Sequence, residues 1–547
     1  MIKLNIKHID FYKILFSTTI LYVIFYLLFP CLYDGWDDSI LTLISSGYFN
    51  IDSKPDFHLI FINTIIGQFL SFLYSLNKNI EWYFLHLFIL QIISTSTIYY
   101  VLSLRFKTFL SKVFLAILLF SFSSMFLMKM QFTTTAYMLC ASGYILLLHT
   151  LDNKFNLKSF KLLSSIFLIV YSYLIRPEVV FSTTALFVPV FLLHRNLRIL
   201  VPIVLTILGI IIFSNFVNNS SYKSTQWKEY KQYNKFRGNF NRYDTPLIIE
   251  FNKNTYTNNI SIDEFDLYDI GLPTRSINAN VIKDLISIYN KNISNYKKLF
   301  LIHIYYNLKG YFMEFAIISI FLVSLLYKFL SRKIEQENII YILILTILSF
   351  STLFIYLCIF KIPKGRVFYG LFFALLIIII YYNHLFSKYI FFLPFILIIV
   401  PRIIAVEKNF KIQNELSKKA INFISKLDKD LVFINNGGSI SGHIANLPPH
   451  NISKIINNHN IIINTWLLNS PIYKQQFEKY IGMDIEKQSS YQLFKKAMLN
   501  DKVFYILEDK YIDLIRRYYY NNNVQIQTKV SNNKIPIIGF RKNDTIQ

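Results

Sequence analysis

Apolar runs close to the roughly 20 residues needed to cross a bilayer recur along the first three quarters of this chain. They fall at about 11–30, 82–104, 113–128, 132–150, 162–175, 178–193, 199–216, 311–330, 338–360, 367–383 and 389–405. A chain patterned this way is a lipid-embedded helix bundle, mainly α. Composition agrees. Of the 547 residues 54% are hydrophobic and only 16% charged, against about 25% charged in a soluble domain, and the mean hydropathy is +0.40. Residues 1–30 open with Lys3, Lys7 and Lys13 before an apolar stretch without a small-residue cleavage site, which predicts an uncleaved first span entering from the cytoplasm.

The basic surplus orients the bundle. A net charge of +24, from 56 basic and 32 acidic residues, would suggest nucleic acid in a soluble protein. Here much of the Lys and Arg sits in short links between apolar runs, where it sets topology and faces anionic headgroups; membrane lipid, not nucleic acid, is the expected partner. The stretch 58–76 decides the arrangement, being long enough to cross but interrupted by Asn63, Gln68, Ser71 and Ser75. If it crosses, the basic links 105–112, 152–161 and 194–198 fall outside, against the positive-inside rule. If it lies on the outer surface as an amphipathic or re-entrant helix, those links and Arg332-Lys333 fall inside. The second arrangement is expected. It gives about eleven spans, N-terminus inside and C-terminus outside: a bundle over 1–405, outer loops 31–81 and 217–310, and an outer tail over 406–547.

In the tail the apolar runs shorten to Leu431-Val-Phe-Ile434, Ile461-Ile-Ile463 and Val503-Phe-Tyr-Ile-Leu507, separated by helical patterns such as 491–498. This alternation predicts a small extracytoplasmic α/β domain. Gly437-Gly438 follows the first of these runs but lacks the Gly-x-x-x-x-Gly-Lys pattern, and reads as a tight turn. Cys31, Cys140 and Cys358 lie in or beside apolar segments without metal spacing, so they read as structural.

Charge at membrane depth is costly, and the first span ends in Cys31-Leu-Tyr-Asp-Gly-Trp-Asp-Asp38. On one helix Asp34 and Asp38 would share a face, whereas Asp37 and Asp38 diverge by about 100°, so only one of the adjacent pair readily enters a given pocket. The plain reading of such acids is helix capping or a solvated loop. His58 and His86 have no carboxylate or His partner at metal-ligand spacing. No bound metal or other cofactor is expected, although an Asp pair can recruit Mg²⁺ or Mn²⁺ loosely.

The loop runs on through Lys54-Pro55-Asp56-Phe57-His58, the surface stretch with Gly67, and Glu81-Trp82-Tyr83. In this order of features the first 110 residues resemble the GT-C glycosyltransferases: a first span, an outer loop with one or two catalytic carboxylates, a Lys-Pro or His-Pro segment opening a surface helix, then a second span. Asp37-Asp38 match the acidic pair and Lys54-Pro55 the Pro segment. Two positions depart, Asp56 standing for the second Pro and Trp82-Tyr83 standing where some members have an Arg. The resemblance implies transfer of a sugar from a polyprenyl-phosphate-linked donor to an acceptor hydroxyl of a glycan, lipid or protein at the extracytoplasmic face. Asp38 is the first choice as general base and Asp37 the second. An Asp is too weak to deprotonate an alcohol outright, so proton removal is concerted with bond formation.

A lipid phosphate leaving group calls for cations in a partly dry site. Lys54, Arg176, Arg237 and Arg366 are the outward basic candidates, with Glu178 beside Arg176, and Asp34 and His58 as further substrate contacts; snorkelling to headgroups is the ordinary role of such cations. Lys129 and Gln131 to Thr135 form a short outer turn that either lines the cavity or is a plain hairpin. The alternative function is a non-catalytic, transporter-like or polymerase-like membrane protein of surface polysaccharide assembly.

Overall fold

The computed structural model describes residues 6–29, 31–152, 159–193, 197–240, 337–360, 365–383, 392–435, 443–463, 466–485, 488–506, 512–519, 524–530 and 536–542, with scattered positions between 272 and 315. The expected span at 311–330, most of the 217–310 insertion and Gly437-Gly438 lie outside the described residues.

The protein is mainly α. Its first part comprises α1 (Ile6–Leu28), α2 (Trp36–Ser45), α3 (Thr64–Leu76), α4 (Trp82–Ser103), α5 (Phe109–Met128), α6 (Phe132–Asp152), α7 (Phe160–Ile175), α8 (Pro177–Leu193), α9 (Leu197–Ser221), α10 (Thr225–Phe240), α11 (Glu337–Phe360), α12 (Gly365–Asn383) and α13 (Phe392–Ser425). Among the described residues six helices are long and apolar enough to cross a membrane, in α1, α4, α5, α6, α9 and α12, and the apolar parts of α3, α7, α8 and α11 are shorter. The protein is thus a multi-pass helical membrane protein.

The bundle is built around α6. Every residue from Phe132 to Thr150 is buried, because α6 packs on α4, α7, α8 and α12. A helix enclosed on all sides has no lipid-facing stripe, and its Thr133, Thr134, Thr135 and Ser142 turn inward among neighbours. Outer helices show the complementary pattern: α1 exposes Phe16, Ile24, Leu27 and Leu28 while burying Tyr22, whose hydroxyl meets Thr95 Oγ1 of α4 at 2.7 Å. Arg105, Asp152 and Tyr381, at the far ends of α4, α6 and α12, form one polar cluster. The opposite end carries the acidic loop.

Helix α3 contains 13 residues and rises about 20 Å, too short for a hydrocarbon core of roughly 30 Å. It starts where Asn63 caps it, its side chain accepting from the Ile65 N–H at 3.0 Å. One face buries Ile66, Leu70 and Tyr74, and the other exposes Phe69, Phe72 and Leu76. Gly67 touches the chain that precedes the helix, and a Cβ there would stand 2.1 Å from the Phe57 carbonyl oxygen.

Helix α13 runs unbroken through residues 405–406, from an apolar start into the tail. Beyond it lies a small α/β region whose five strands are β3 (Val432–Asn435), β4 (Asn460–Ile463), β5 (Val503–Ile506), β6 (Val524–Val530) and β7 (Pro536–Lys542), ordered β4-β3-β5-β7-β6. The first three are parallel and β7 and β6 add an antiparallel hairpin. Strands β3, β4 and β5 are the three expected apolar runs, and their near-continuous hydrophobic sequences suit parallel strands covered on both faces. The helix expected at 491–498 is Ser490–Met498, opened by a capping box of Ser489 and Gln492.

The α/β region is docked on the loops of the bundle. Tyr48 places its hydroxyl at the edge strand β4, donating to the His459 carbonyl at 2.8 Å and accepting from the Ile461 N–H at 3.2 Å. Phe61 packs edge-on against Trp466 at 4.6 Å, and the Tyr230 hydroxyl donates to the Trp466 carbonyl at 2.6 Å. Glu81 is buried and takes three hydrogen bonds: from the Ser453 N–H at 2.8 Å, the Ser453 hydroxyl at 3.1 Å and the Tyr74 hydroxyl at 3.2 Å. Ser453 lies in the first turn of α14 (Ile452–Ile456), so the carboxyl group meets the positive end of a helix.

Glu81→Ala strands three buried donors at about 1–3 kcal/mol each. The expected outcome is a lower melting temperature and faster proteolysis within 425–460, with Glu81→Gln intermediate because it keeps one acceptor oxygen. A tail as protease-resistant in Glu81→Ala as in the wild type contradicts the clamp.

Candidate functional site

The site is assembled by a two-residue parallel bridge. β1 (Leu32–Tyr33) pairs with β2 (Lys129–Met130), and the Asp34 N–H continues it by donating to the Met130 carbonyl at 3.0 Å. The end of α1 is thereby tied to the turn between α5 and α6. Gly35 follows with φ of 143°, a conformation that L side chains rarely adopt, and the chain restarts as α2 at Trp36. Asp34 therefore lies before the helix and does not share a helical face with Asp38.

Asp37 and Asp38 sit in the first turn of α2 and diverge as adjacent helical residues must. Asp38 is completely buried. Its Oδ1 accepts from the Tyr83 hydroxyl at 2.9 Å and the Phe132 N–H at 3.0 Å, so it satisfies one of the orphan donors that open α6. Its Oδ2 is buried with no partner among the described residues, as are both side-chain amide atoms of neighbouring Gln131. Asp37 points the other way, half-buried, with Oδ2 3.5 Å from Arg366 Nη2 at the start of α12. Asp34 is exposed beside them. The protein around it raises its carboxyl pKa, while the charges of Lys129 and Arg366 pull in the other direction.

Arg176 caps the C-terminus of α7. Its Nε is 3.1 Å from Glu178 Oε2, and its guanidinium lies over the rings of Phe132 at 5.6 Å and Phe61 at 6.0 Å. Through Phe132 it is one residue removed from the Asp38 hydrogen bond. Glu178 is largely exposed.

The other expected contacts are placed elsewhere. Lys54 is exposed and pairs with Asp52 at 2.8 Å, which raises its pKa. Arg237 turns back along α10, donating from Nε and Nη2 to Asn234 Oδ1 at 3.1 and 3.0 Å. His58 does have a carboxylate partner, contrary to the reading of its spacing: Nδ1 is 2.7 Å from Asp56 Oδ1, and Nε2 is 3.2 Å from the Ser221 carbonyl oxygen. It also stacks on Trp227 at 4.5 Å. This histidine fastens the loop to the end of α9.

Tyr83 and Glu81 are the participants that sequence patterns alone do not reveal. Their signal was positional, since Glu81-Trp82-Tyr83 opens the second long span at the depth where the acids lie. Lys129 joins the cluster from the turn that could have been a plain hairpin. Among the described residues no group of three or more His, Cys, Asp or Glu side chains is arranged to hold a metal ion.

The site therefore offers a partly buried carboxylate–guanidinium pair, Asp37 and Arg366, with Asp34 and Lys129 close enough to feel the same charges and the buried Asp38 carboxyl behind it. No protein-family model, curated protein or solved structure matches this chain.

Burial raises the Asp38 carboxyl well above the usual range, with the Tyr83 and Phe132 hydrogen bonds opposing it. Glu81 is raised for the same leading reason, against its bonds from Ser453 and Tyr74. A raised folded-state pKa means that the folded chain binds the proton more tightly than the unfolded chain. These carboxyls therefore make stability rise as pH falls from their raised values toward about 4. Asp38→Asn keeps an acceptor for Tyr83 and Phe132 without the charge, so it should melt at or above the wild-type temperature near neutral pH, with a flatter pH dependence. Asp38→Ala should lose about 2 kcal/mol or more by orphaning two donors. Melting curves of the detergent-solubilised protein from pH 4 to 8 check both, and equal destabilisation by Asn and Ala contradicts the assignment.

Proposed function

We propose that this protein is a membrane glycosyltransferase of the GT-C type, moving a sugar from a polyprenyl-phosphate-linked donor to an acceptor hydroxyl at the extracytoplasmic face. The single observation behind this reading is the Asp37–Arg366 pair, which joins a proton acceptor and a phosphate-binding cation in one half-dry mouth. In the proposed step the acceptor oxygen forms a bond to the anomeric carbon as the carbon–oxygen bond to the lipid phosphate breaks. The hydroxyl proton passes to Asp37 in concert. The phosphate leaves with the electron pair, stabilised by Arg366, with Lys129 as the nearby second cation.

The roles of the two acids are reordered by burial. Asp37 becomes the first choice as base because solvent and substrate can reach it. Asp38, sealed behind it, is the positioning residue that fixes α2 against α4 and α6. The site's orientation in the membrane follows the N-in, C-out arrangement with about eleven spans, supported by Arg105 and Lys161 lying toward the end opposite Arg366.

Asp37→Asn should lower transfer by about 10²–10⁴-fold while the protein remains folded, measured with purified enzyme and a radiolabelled polyprenyl-phosphate sugar. Asp38→Asn should retain most of the activity. Full transfer by Asp37→Asn sinks the base assignment, and a wild type that binds the lipid-linked sugar without transferring it favours the transporter-like alternative. Reporter fusions after residues 78, 108 and 156 should give cytoplasmic signals only at the latter two; a cytoplasmic signal at 78 overturns the orientation.

A further inference from the structure

A groove of about 650 Å³ opens between the end of α1, the start of α4 and the α/β region. It is separate from the acid pair: Leu32 and Glu81 line it, and neither Asp37 nor Arg366 does. Its volume is that of an ordinary small-molecule site, and its two halves differ in chemistry.

The lower half is apolar, with Leu27, Phe29, Phe84 and Leu85 as walls. Leu27 is 75% exposed and continues the stripe of Ile20, Ile24 and Leu28 on the outer face of the α1 span. An acyl chain in the bilayer thus meets the groove as an extension of the surface it already covers. The upper half sits where α1 ends and α4 begins, and is polar: Asn79, Ser417 and His450. His450 commits Nδ1 to the Tyr26 hydroxyl, which leaves its other ring nitrogen for a ligand. Burial lowers the His450 pKa, so at neutral pH the ring is uncharged.

Charge selects among lipids. Among the described residues no Lys or Arg lines the groove and Glu81 is the one carboxyl, already holding hydrogen bonds from Ser453 and Tyr74 on its two oxygens. A phosphate headgroup would enter a partly dry pocket without a counter-charge, which is costly. Hydroxyl groups suit the same rim, since Asn79, Ser417 and the imidazole can each donate or accept.

We propose that this groove is a binding site for an uncharged membrane lipid with a hydroxyl-rich head, such as a hexosyl-diacylglycerol. The chain lies along Leu27 and Phe84, and the head faces Asn79, Ser417 and His450. The proposal is independent of catalysis at Asp37.

The test is photolabelling of the full-length protein in phosphatidylcholine nanodiscs with a hexosyl-diacylglycerol carrying a diazirine in one chain, followed by peptide mapping. Adducts are expected within 24–33 and 79–85. Excess unlabelled hexosyl-diacylglycerol should remove them, and phosphatidylglycerol with the same chains should not. Leu27→Trp, at an exposed position that the fold tolerates, should reduce labelling about tenfold, and His450→Ala should narrow the preference between the two competitors. Adducts spread evenly along α1 to Phe16, or equal competition by phosphatidylglycerol, overturn the proposal.

Discussion

A buried carboxyl group holds the centre of this protein in register. Asp38 lies at the junction of three helices, fixed in the first turn of α2, receiving the Tyr83 hydroxyl from α4 and the first N–H of α6. Enclosing that group is expensive, and its two hydrogen bonds offset the expense only in one arrangement of the three helices. Because α6 is the helix on which the others pack, its starting point sets the height of the whole bundle. Asp37 then has one direction left to it, toward Arg366 and solvent.

The same reasoning explains why the α/β region is coupled to the bundle. Glu81 faces the start of α14 two residues before Tyr83, and Tyr74 bridges them: its hydroxyl donates to Glu81 and accepts the Tyr83 N–H at 3.2 Å. A continuous polar chain therefore runs from Ser453 through Glu81, Tyr74, Tyr83 and Asp38 to Phe132. Apolar contacts flank it, with Phe410 of α13 against Phe29 at 5.7 Å and Phe61 against Trp466. Its hydrogen bonds rigidify the elements they join, while the unpartnered Asp38 Oδ2 among the described residues is its costly atom.

Much of the fold was legible because lipid solvation and strand burial write long, simple patterns. Each expected apolar run within the described residues is a helix, and Val432–Asn435, Asn460–Ile463 and Val503–Ile506 are strands. The β6–β7 hairpin was missed although Val524-Gln-Ile-Gln-Thr-Lys-Val530 alternates with period two, the sequence pattern of a strand. The acidic site was legible in position but not in detail. Gly35 separates Asp34 from the helix, a local turn that a purely helical reading overrides. Which of Asp37 and Asp38 is enclosed depends on Phe132, 94 residues from Asp38, and no local pattern encodes that contact. Lys54 and Arg237 are grouped with the site by charge and expected side of the membrane, and local partners, Asp52 and Asn234, engage them in the structure.

The polar chain from Ser453 to Phe132 also has a consequence in time. Glu81 is made early and its partner is 372 residues further along the chain, so during synthesis the first loop exists for most of translation without the group that closes it. The acid-bearing end of the bundle is completed only when the last quarter of the polypeptide has emerged and folded. Until then the Glu81 carboxyl lacks its Ser453 donors and the Tyr48 hydroxyl its place on strand β4.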